Sequence, residues 1–105
     1  IAYAAVTRSP ESAYDAIYEG KWQGGESEYL VFHRIAVAAA NQGQKVAQTF
    51  LEGLIEGFDY LDFRSDTHAE NKIMQHIFEK LGFQHVGKVP VDGERLAYQK
   101  VKSNV

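Results

Sequence analysis

The feature that most constrains the fold is a long apolar stretch that runs directly into a helical pattern. Residues 29–37, YLVFHRIAV, are rich in β-branched and aromatic side chains, which is typical of a strand covered on both faces. From Gln42 to Phe58 the apolar residues recur at steps of three and four, and Gly57 favours an end of the helix there. This succession predicts a right-handed strand-helix-strand unit with two parallel strands.

The next segments supply the second strand of that unit and a second helix. Residues 60–66, YLDFRSD, alternate between two faces, as a strand does. Thr67 and Glu70 have the spacing of a capping box, and the apolar residues behind them predict an amphipathic helix that Gly82 ends. We therefore expect Asp66 and Thr67 to cap this helix.

Two further strand patterns and a loop complete the predicted fold. Residues 83–101 contain two strands around Asp92-Gly93, which predicts an antiparallel hairpin. Residues 1–6 predict a short strand, and residues 11–28 predict a loop with one short helix. The expected fold class is α/β with a mixed sheet, built from a central parallel strand-helix-strand unit and a C-terminal antiparallel hairpin.

Composition limits the size of the fold and its partners. A chain of 105 residues with 45% hydrophobic residues can bury one modest core, so we expect a single domain. A net charge of -3 without a basic stripe disfavours nucleic-acid binding. No apolar stretch reaches the roughly 20 residues that a membrane-spanning helix needs, and without cysteine no disulfide can form. We expect a cytoplasmic protein for which a homodimer is possible. Further elements are expected before Ile1, because the sequence starts within a strand pattern.

The start of the first helix is a candidate anion-binding site. A helix that follows a parallel strand presents unpaired backbone N–H groups and a positive dipole end at the carboxyl edge of the sheet. Phosphate groups bind at such places, which here correspond to residues 42–47. Geometry alone leaves a second interpretation open, in which this helix start binds only water.

Two segments resemble a known family. The segment IAVAAANQGQKVAQTFL, residues 35–51, resembles the acetyl-CoA signature of the GNAT superfamily of N-acetyltransferases, in which an apolar strand leads to Q/R-x-x-G-x-G/A and a helix. The residues that fit this signature or its usual fillers are Gln42, Gly43, Gln44, Val46 and Ala47. The segment NKIMQHIFEKLGF resembles the second signature of the family, with Asn71 followed by Lys80, Leu81, Gly82 and Phe83.

The resemblance covers residues 29–101 and implies a GNAT-like fold with acetyl-CoA as the cosubstrate. Residues 1–105 would form one acetyltransferase-like domain that lacks the N-terminal strand and helices of the family. The backbone of Ile35, Ala36 and Val37 would pair with the pantetheine arm, and the N–H groups of residues 42–47 would hold the pyrophosphate. Asn71 would reach the arm from the other side, unless its polar group only satisfies its own helix.

Two positions depart from the family pattern. Lys45 stands where the signature has its central Gly, so its Cβ could crowd the pyrophosphate while its ammonium attracts the phosphate charges. Phe78 stands at the helix position near the cofactor sulfur where many members carry a Tyr, and a phenyl ring has no proton to give to the leaving thiolate.

His33 is the candidate general base. An ammonium substrate must lose a proton before its nitrogen can attack the thioester, and histidine is the side chain that ordinarily titrates near neutral pH. His33 lies two residues ahead of Ile35, the first residue of the proposed cofactor-binding segment. Arylalkylamine acetyltransferases of the same superfamily also carry a His at this place. The alternative is a buried, hydrogen-bonded core histidine.

The acceptor site and metal chemistry have weaker signals. Tyr14, Tyr18 and Trp22 either line an acceptor pocket, where aromatic rings can hold an amine by cation–π contact, or form a satellite core under a loop. His68 is expected in the exposed first turn of the second helix. No pair of residues has the spacing of a metal site, so we predict no metal.

Three functions follow from these patterns. The leading hypothesis is an N-acetyltransferase that moves the acetyl group of acetyl-CoA to a primary amine of a small molecule or peptide, by direct attack in a ternary complex. No covalent intermediate is needed, in keeping with the absence of Cys and of a Ser-His-Asp pattern. The alternatives are a catalytically silent CoA-binding module and a structural domain without cofactor.

Overall fold

The computed structural model describes residues 2–9, 11–24, 28–37, 43–91 and 93–102. The elements in chain order are β1 (Ala2–Arg8), a 3-10 helix (Ser12–Ala16), β2 (Leu30–Val37), α1 (Gly43–Gly57), β3 (Asp62–Thr67), α2 (Lys72–Lys80), β4 (Gln84–Pro90) and β5 (Glu94–Val101). Every strand and helix predicted from the sequence is present among them.

The strands form one mixed sheet in the order β1-β2-β3-β5-β4. β2 and β3 are parallel, as expected for two strands joined by a helix. β1 pairs with β2, β3 with β5, and β4 with β5, all antiparallel. The predicted parallel unit and C-terminal hairpin are confirmed, and the hairpin joins the sheet through β5.

Both helices pack on one face of the sheet. In α1, Leu51 and Ile55 are one turn apart and buried, so the apolar stripe read from the sequence faces the strands. Together with residues of β2, β3, β5, α2 and the turn between α2 and β4 they form the larger core cluster: Leu30, Phe32, Leu51, Ile55, Phe63, Ile77, Phe78, Leu81, Phe83 and Tyr98. The opposite face of the sheet holds a smaller cluster with the 3-10 helix: Tyr14, Tyr29, Val31, Val89 and Ala97.

The start of α2 differs from the prediction. Asp66 and Thr67 do not cap the helix, because β3 extends through both and pairs them with β5. The N-cap is Asn71, whose side-chain oxygen accepts a hydrogen bond from the backbone N–H of Met74 at 3.1 Å. The predicted end is confirmed: Gly82 has φ +93°, and the N–H of Phe83 donates to the carbonyl of residue 78 at 2.9 Å.

A buried polar network fastens residues 11–24 to the second face of the sheet. Arg64 donates two hydrogen bonds to the Asp62 carboxylate, at 3.3 and 2.9 Å, and its guanidinium lies 3.8 Å from the ring centroid of Tyr29. Gln99 donates to Asp62 at 3.0 Å and to the carbonyl of Gln23 at 2.9 Å. It also accepts from the N–H of Gln23 at 2.7 Å. These four groups, three side chains and the backbone of Gln23, are hydrogen-bonded to one another beneath residues 11–24, which we call the covering segment.

Candidate active site

β2 and β3 form a fork that opens toward their carboxyl ends. Their parallel register joins Leu30, Val31 and Phe32 to Phe63, Arg64 and Ser65. β2 nevertheless continues to Val37, where it stays paired with β1, and β3 continues to Thr67, where it stays paired with β5. The inner edge of β2 beyond the fork therefore has backbone groups without a strand partner among the described residues. We call residues 30–32 and 62–65, which contain the three parallel pairs, the closed end, and residues 33–37 and 66–67 the open end.

Ser65 marks the vertex of the fork. Its hydroxyl donates a hydrogen bond to the carbonyl oxygen of Phe32 at 2.8 Å, at the last rung of the parallel register. Both residues are buried. The role of Ser65 was not predicted, although a hydroxyl between Phe63 and Thr67 on a buried strand face is a signal that could have drawn attention to it.

The predicted cofactor residues lie on two elements. Ile35, Ala36 and Val37 belong to the open end of β2, as the resemblance implies. The start of α1 contains Gly43, Gln44, Lys45, Val46 and Ala47. Five residues separate it from the end of β2. The first N–H groups of a helix of 15 residues have no intrahelical acceptor. Gln42 lies outside the described residues.

His33 is the first residue of β2 beyond the vertex. Its Nε2 lies 3.1 Å from the Thr7 hydroxyl oxygen and 3.3 Å from Oε1 of Glu11. The side chain is 26% exposed, so the imidazole is not sealed in the core and solvent or a substrate can reach it. Its role as general base stays a prediction.

Asp66 lies on the other arm of the fork, on the same sheet face as Asp62 and Arg64. The Tyr14 hydroxyl donates to its Oδ1 at 3.3 Å, and its buried Oδ2 has no hydrogen-bond partner among the described residues. Burial raises the pKa of the Asp66 carboxyl, although the nearby Arg95 and His33 act in the opposite direction. Burial, and then the charge of Asp66, raises the pKa of the Tyr14 hydroxyl. The sequence reasoning missed this group because it assigned Asp66 to the helix cap.

Asn71 and Phe78 occupy the positions on α2 that the resemblance singled out. The side-chain oxygen of Asn71 is used in the helix cap, which fits the structural alternative, and its contact with a cofactor stays a prediction. Phe78 is fully buried in the larger core cluster, where its ring centroid lies 5.1 Å from that of Phe83 and 5.0 Å from that of Tyr98.

The three aromatic residues of the covering segment do not share one surface. Tyr14 is fully buried and stacks on Trp22 with centroids 5.0 Å apart, while the Trp22 indole donates to the carbonyl of Tyr14 at 2.8 Å. Tyr18 is 37% exposed and forms a bridge with Lys88 of β4. The packing of Tyr14 and Trp22 fits the satellite-core interpretation, and a contact of any of the three with an acceptor stays a prediction.

The remaining observations concern metal binding, His68 and membrane-spanning helices. Among the described residues, no group of three or more His, Asp or Glu side chains is placed to hold a metal ion. His68 is exposed just after β3, in the turn before α2 rather than in its first turn. No helix in the described ranges is long and apolar enough to span a bilayer.

Comparison with solved structures decides the family. An acetyltransferase of the GNAT family from Streptococcus agalactiae 2603 matches 98% of this chain with 58% sequence identity and a TM-score of 0.93. The chain belongs to the GNAT superfamily. It spans 60% of the length of that relative. No protein-family model matches the chain, and no curated protein sequence matches it.

More distant solved structures share the fold. The structure of AAC(6')-Ib in complex with ribostamycin and coenzyme A matches 96% of this chain and 57% of its own, with 19% identity and a TM-score of 0.62. The aminoglycoside acetyltransferase AAC(6')-Ib in complex with coenzyme A matches 93% of this chain and 58% of its own, with 17% identity and a TM-score of 0.57. At these identities the likeness concerns the fold alone, and the fold agrees with that expected from the sequence.

Proposed function

We propose that the chain binds acetyl-CoA in the fork between β2 and β3 and transfers the acetyl group to a primary amine. The main support is the inner edge of β2 at the open end, which has no strand partner among the described residues. A pantetheine arm contains amide groups, which can hydrogen-bond to such an edge as an added strand does. The backbone of residues 35–37 would bind this arm, and the N–H groups of residues 42–47 would bind the pyrophosphate.

The position of His33 just beyond the vertex supports a role as the base in the catalytic step. His33 takes a proton from the ammonium form of the acceptor, and the neutral nitrogen attacks the thioester carbonyl of acetyl-CoA in a ternary complex. The C–N bond forms, the C–S bond breaks, and CoA leaves as a thiolate, while the attacking nitrogen loses its second proton to solvent and becomes the neutral amide. Phe78 has no proton for this thiolate, so solvent protonates it.

The acceptor we propose is a small molecule with a primary amine, and a peptide amine is the alternative. The Glu11 carboxylate contacts the imidazole of His33, and the Asp66 carboxyl lies on the same face of the sheet on the neighbouring strand β3. Negative charge at this place favours an ammonium group. The fold neighbour AAC(6')-Ib has been solved with ribostamycin and with coenzyme A, which agrees with an amine acceptor of this class.

A catalytically silent CoA-binding module is the second candidate. It is supported by Phe78, which replaces the usual Tyr and is completely enclosed by core residues. The two candidates agree on cofactor binding and differ only in turnover.

Calorimetry with acetyl-CoA and CoA tests binding, and release of free thiol over a panel of aminoglycosides, polyamines and peptides tests turnover. We expect binding of both cofactors, and thiol release with at least one amine. His33→Gln should keep the acetyl-CoA affinity and lose roughly a hundredfold in kcat, since a general base typically contributes ~10²–10⁴-fold. His76→Gln, at an exposed position of α2, is the matched control. Binding without turnover would support the silent module, and a folded chain that binds neither cofactor would refute both.

A further inference from the structure

The imidazole of His33 has both of its described polar contacts on one nitrogen. Nε2 lies 3.3 Å from Oε1 of Glu11 and 3.1 Å from Oγ1 of Thr7. The described residues give Nδ1 no hydrogen-bond partner. The two ring nitrogens are therefore in different environments, and this difference determines which of them is able to take a proton.

Glu11 is held in place by its own backbone. Its N–H donates to the hydroxyl of Tyr29 at 3.0 Å, and its carbonyl accepts from the N–H of Tyr14 at 2.9 Å. Tyr29 and Tyr14 are both buried. The carboxylate of Glu11 is thus presented to β2 from a fixed point of the covering segment, just before the 3-10 helix.

The chemistry of the two oxygens decides the tautomer. An ionised carboxylate can only accept hydrogen bonds, whereas a hydroxyl can accept or donate. A favourable contact between Glu11 and Nε2 therefore requires the hydrogen on Nε2, and the Thr7 hydroxyl adapts by accepting from the same N–H. Thr7 alone would permit either tautomer.

We propose that Glu11 is a positioning residue that holds neutral His33 as the Nε2–H tautomer and leaves the lone pair of Nδ1 to receive the proton. The catalytic part of this inference rests on the proposed role of His33 as base, whereas the tautomer does not. When the acceptor ammonium gives its proton to Nδ1, the ring becomes a cation whose Nε2–H still donates to the Glu11 carboxylate. The charge developed in the step is thereby partly compensated.

Other charged groups face the same ring. Asp66 approaches from β3, Tyr14 donates to Asp66 from the 3-10 helix, and Arg95 of β5 lies near that carboxyl. The described contacts to the imidazole itself come from Glu11 and Thr7. Removal of Glu11 should therefore change which ring nitrogen of His33 carries the hydrogen, while Asp66 stays in place.

The test is ¹⁵N NMR of the imidazole nitrogens in the ligand-free chain, at a pH where the ring is neutral. We expect Nε2 to show the shift of a protonated nitrogen and Nδ1 that of a lone-pair nitrogen. Glu11→Met should move both shifts toward each other as the tautomers mix, and Glu11→Gln, which keeps an acceptor without the charge, should lie between. Glu28→Met, which removes an exposed carboxylate elsewhere, is the matched control and should change neither shift.

Steady-state kinetics of the same variants is the second measurement. Both Glu11 variants should lower kcat, by about tenfold for Glu11→Met, because part of the general-base contribution is lost, and the KM for acetyl-CoA should stay unchanged. A wild-type Nδ1–H tautomer, or shifts that do not respond to Glu11→Met in a folded variant, would overturn the inference whatever the activity. If the tautomer depends on Glu11 but His33→Gln keeps full turnover, the base assignment fails and the positioning of the ring stands.

Discussion

The closed end and the open end of the β2–β3 pair differ in how their polar groups are used. At the closed end, Asp62, Arg64 and Gln99 are buried and hydrogen-bonded to one another, and the strands form a parallel ladder. At the open end the ladder stops, His33 is partly exposed, and one oxygen of Asp66 has no described partner.

The contrast shows how one pair of strands serves both stability and chemistry. Polar groups that satisfy one another inside the protein hold the fold together, but they have no capacity left to bind a ligand. Groups that the fold leaves unpaired cost stability and remain able to bind or to exchange protons. Four experiments can break or sharpen this division.

The largest effect is expected at the closed end, from Arg64→Met. The change leaves the Asp62 carboxylate buried with only Gln99 as a partner, and breaking a buried ion pair in this way costs about 3–5 kcal/mol of unfolding free energy. Urea denaturation measures the loss. Arg95→Met is the matched control, because the buried Nε of Arg95 has no described partner, and it should cost less than about 1 kcal/mol. Equal losses would mean that the two ends do not differ in this respect.

The second effect is confined to the open end and is seen by hydrogen exchange with and without acetyl-CoA. A ligand at about 100 times its Kd stabilises its site by ~2.7 kcal/mol, so the amides of residues 33–37 that face away from β1 should exchange roughly a hundredfold more slowly. Residues 30–32 are already paired on both sides and should change much less. Equal protection of both segments would place the cofactor elsewhere or reflect only global stabilisation.

The vertex should show a smaller effect, through Ser65→Ala. The variant leaves the Phe32 carbonyl without its hydroxyl donor, and a lost hydrogen bond of this kind costs ~1 kcal/mol. Thermal or urea unfolding measures this cost, with Ser12→Ala at an exposed position as the control. If the fork is a fixed feature, acetyl-CoA affinity should stay within about twofold, a change of less than ~0.4 kcal/mol. A large loss of affinity would show that Ser65 takes part in binding.

The smallest effect is a pH dependence at Asp66. Its pKa is raised above the usual carboxyl value of 3.8 chiefly by burial, so the folded chain holds this proton more tightly than the unfolded chain. The stability that this provides at low pH is lost as the pH rises from 3.8 through the raised value. Asp66→Asn cannot titrate, so its unfolding free energy relative to wild type should increase across that window and then level off. Urea midpoints between about pH 3.5 and 7 test the sign, and a difference that decreases with pH would mean a lowered pKa.

The secondary-structure elements and the family could be predicted from the sequence because they depend on local patterns. The 3.6-residue stripe of α1, the alternation of β3 and Gly82 at the end of α2 each reflect physics within a few residues. The cap of α2 was misassigned because Thr67 and Glu70 satisfy the spacing rule, while pairing of β3 with β5, a long-range contact, holds Thr67 in the sheet.

The candidate site could be predicted only in part, because its contacts are also long-range. His33 and the proposed cofactor segment were selected from their positions in the sequence, and their roles stay predictions. The neighbours of His33 come from β1, the covering segment and β3, up to 33 residues away, and no periodicity encodes such contacts. The end of the β2–β3 ladder also has no sequence signature, because β2 continues as a regular strand beyond it.

Gln99 gives the covering segment a mechanical property. Its carboxamide accepts from and donates to the backbone of Gln23, as the peptide group of an adjoining strand would. Residues 11–24 are thus fastened to β5 at one end, and at the other end Glu11 fastens them to Tyr29, just before β2. A thermal fluctuation that lifts this cover must break both attachments and the backbone bridge between Tyr18 and Lys88 of β4, so the cover should detach as a unit with Trp22 still stacked on Tyr14. Each such event would also release the imidazole of His33 from its carboxylate, so the time during which the ring is correctly oriented equals the time during which the cover is closed.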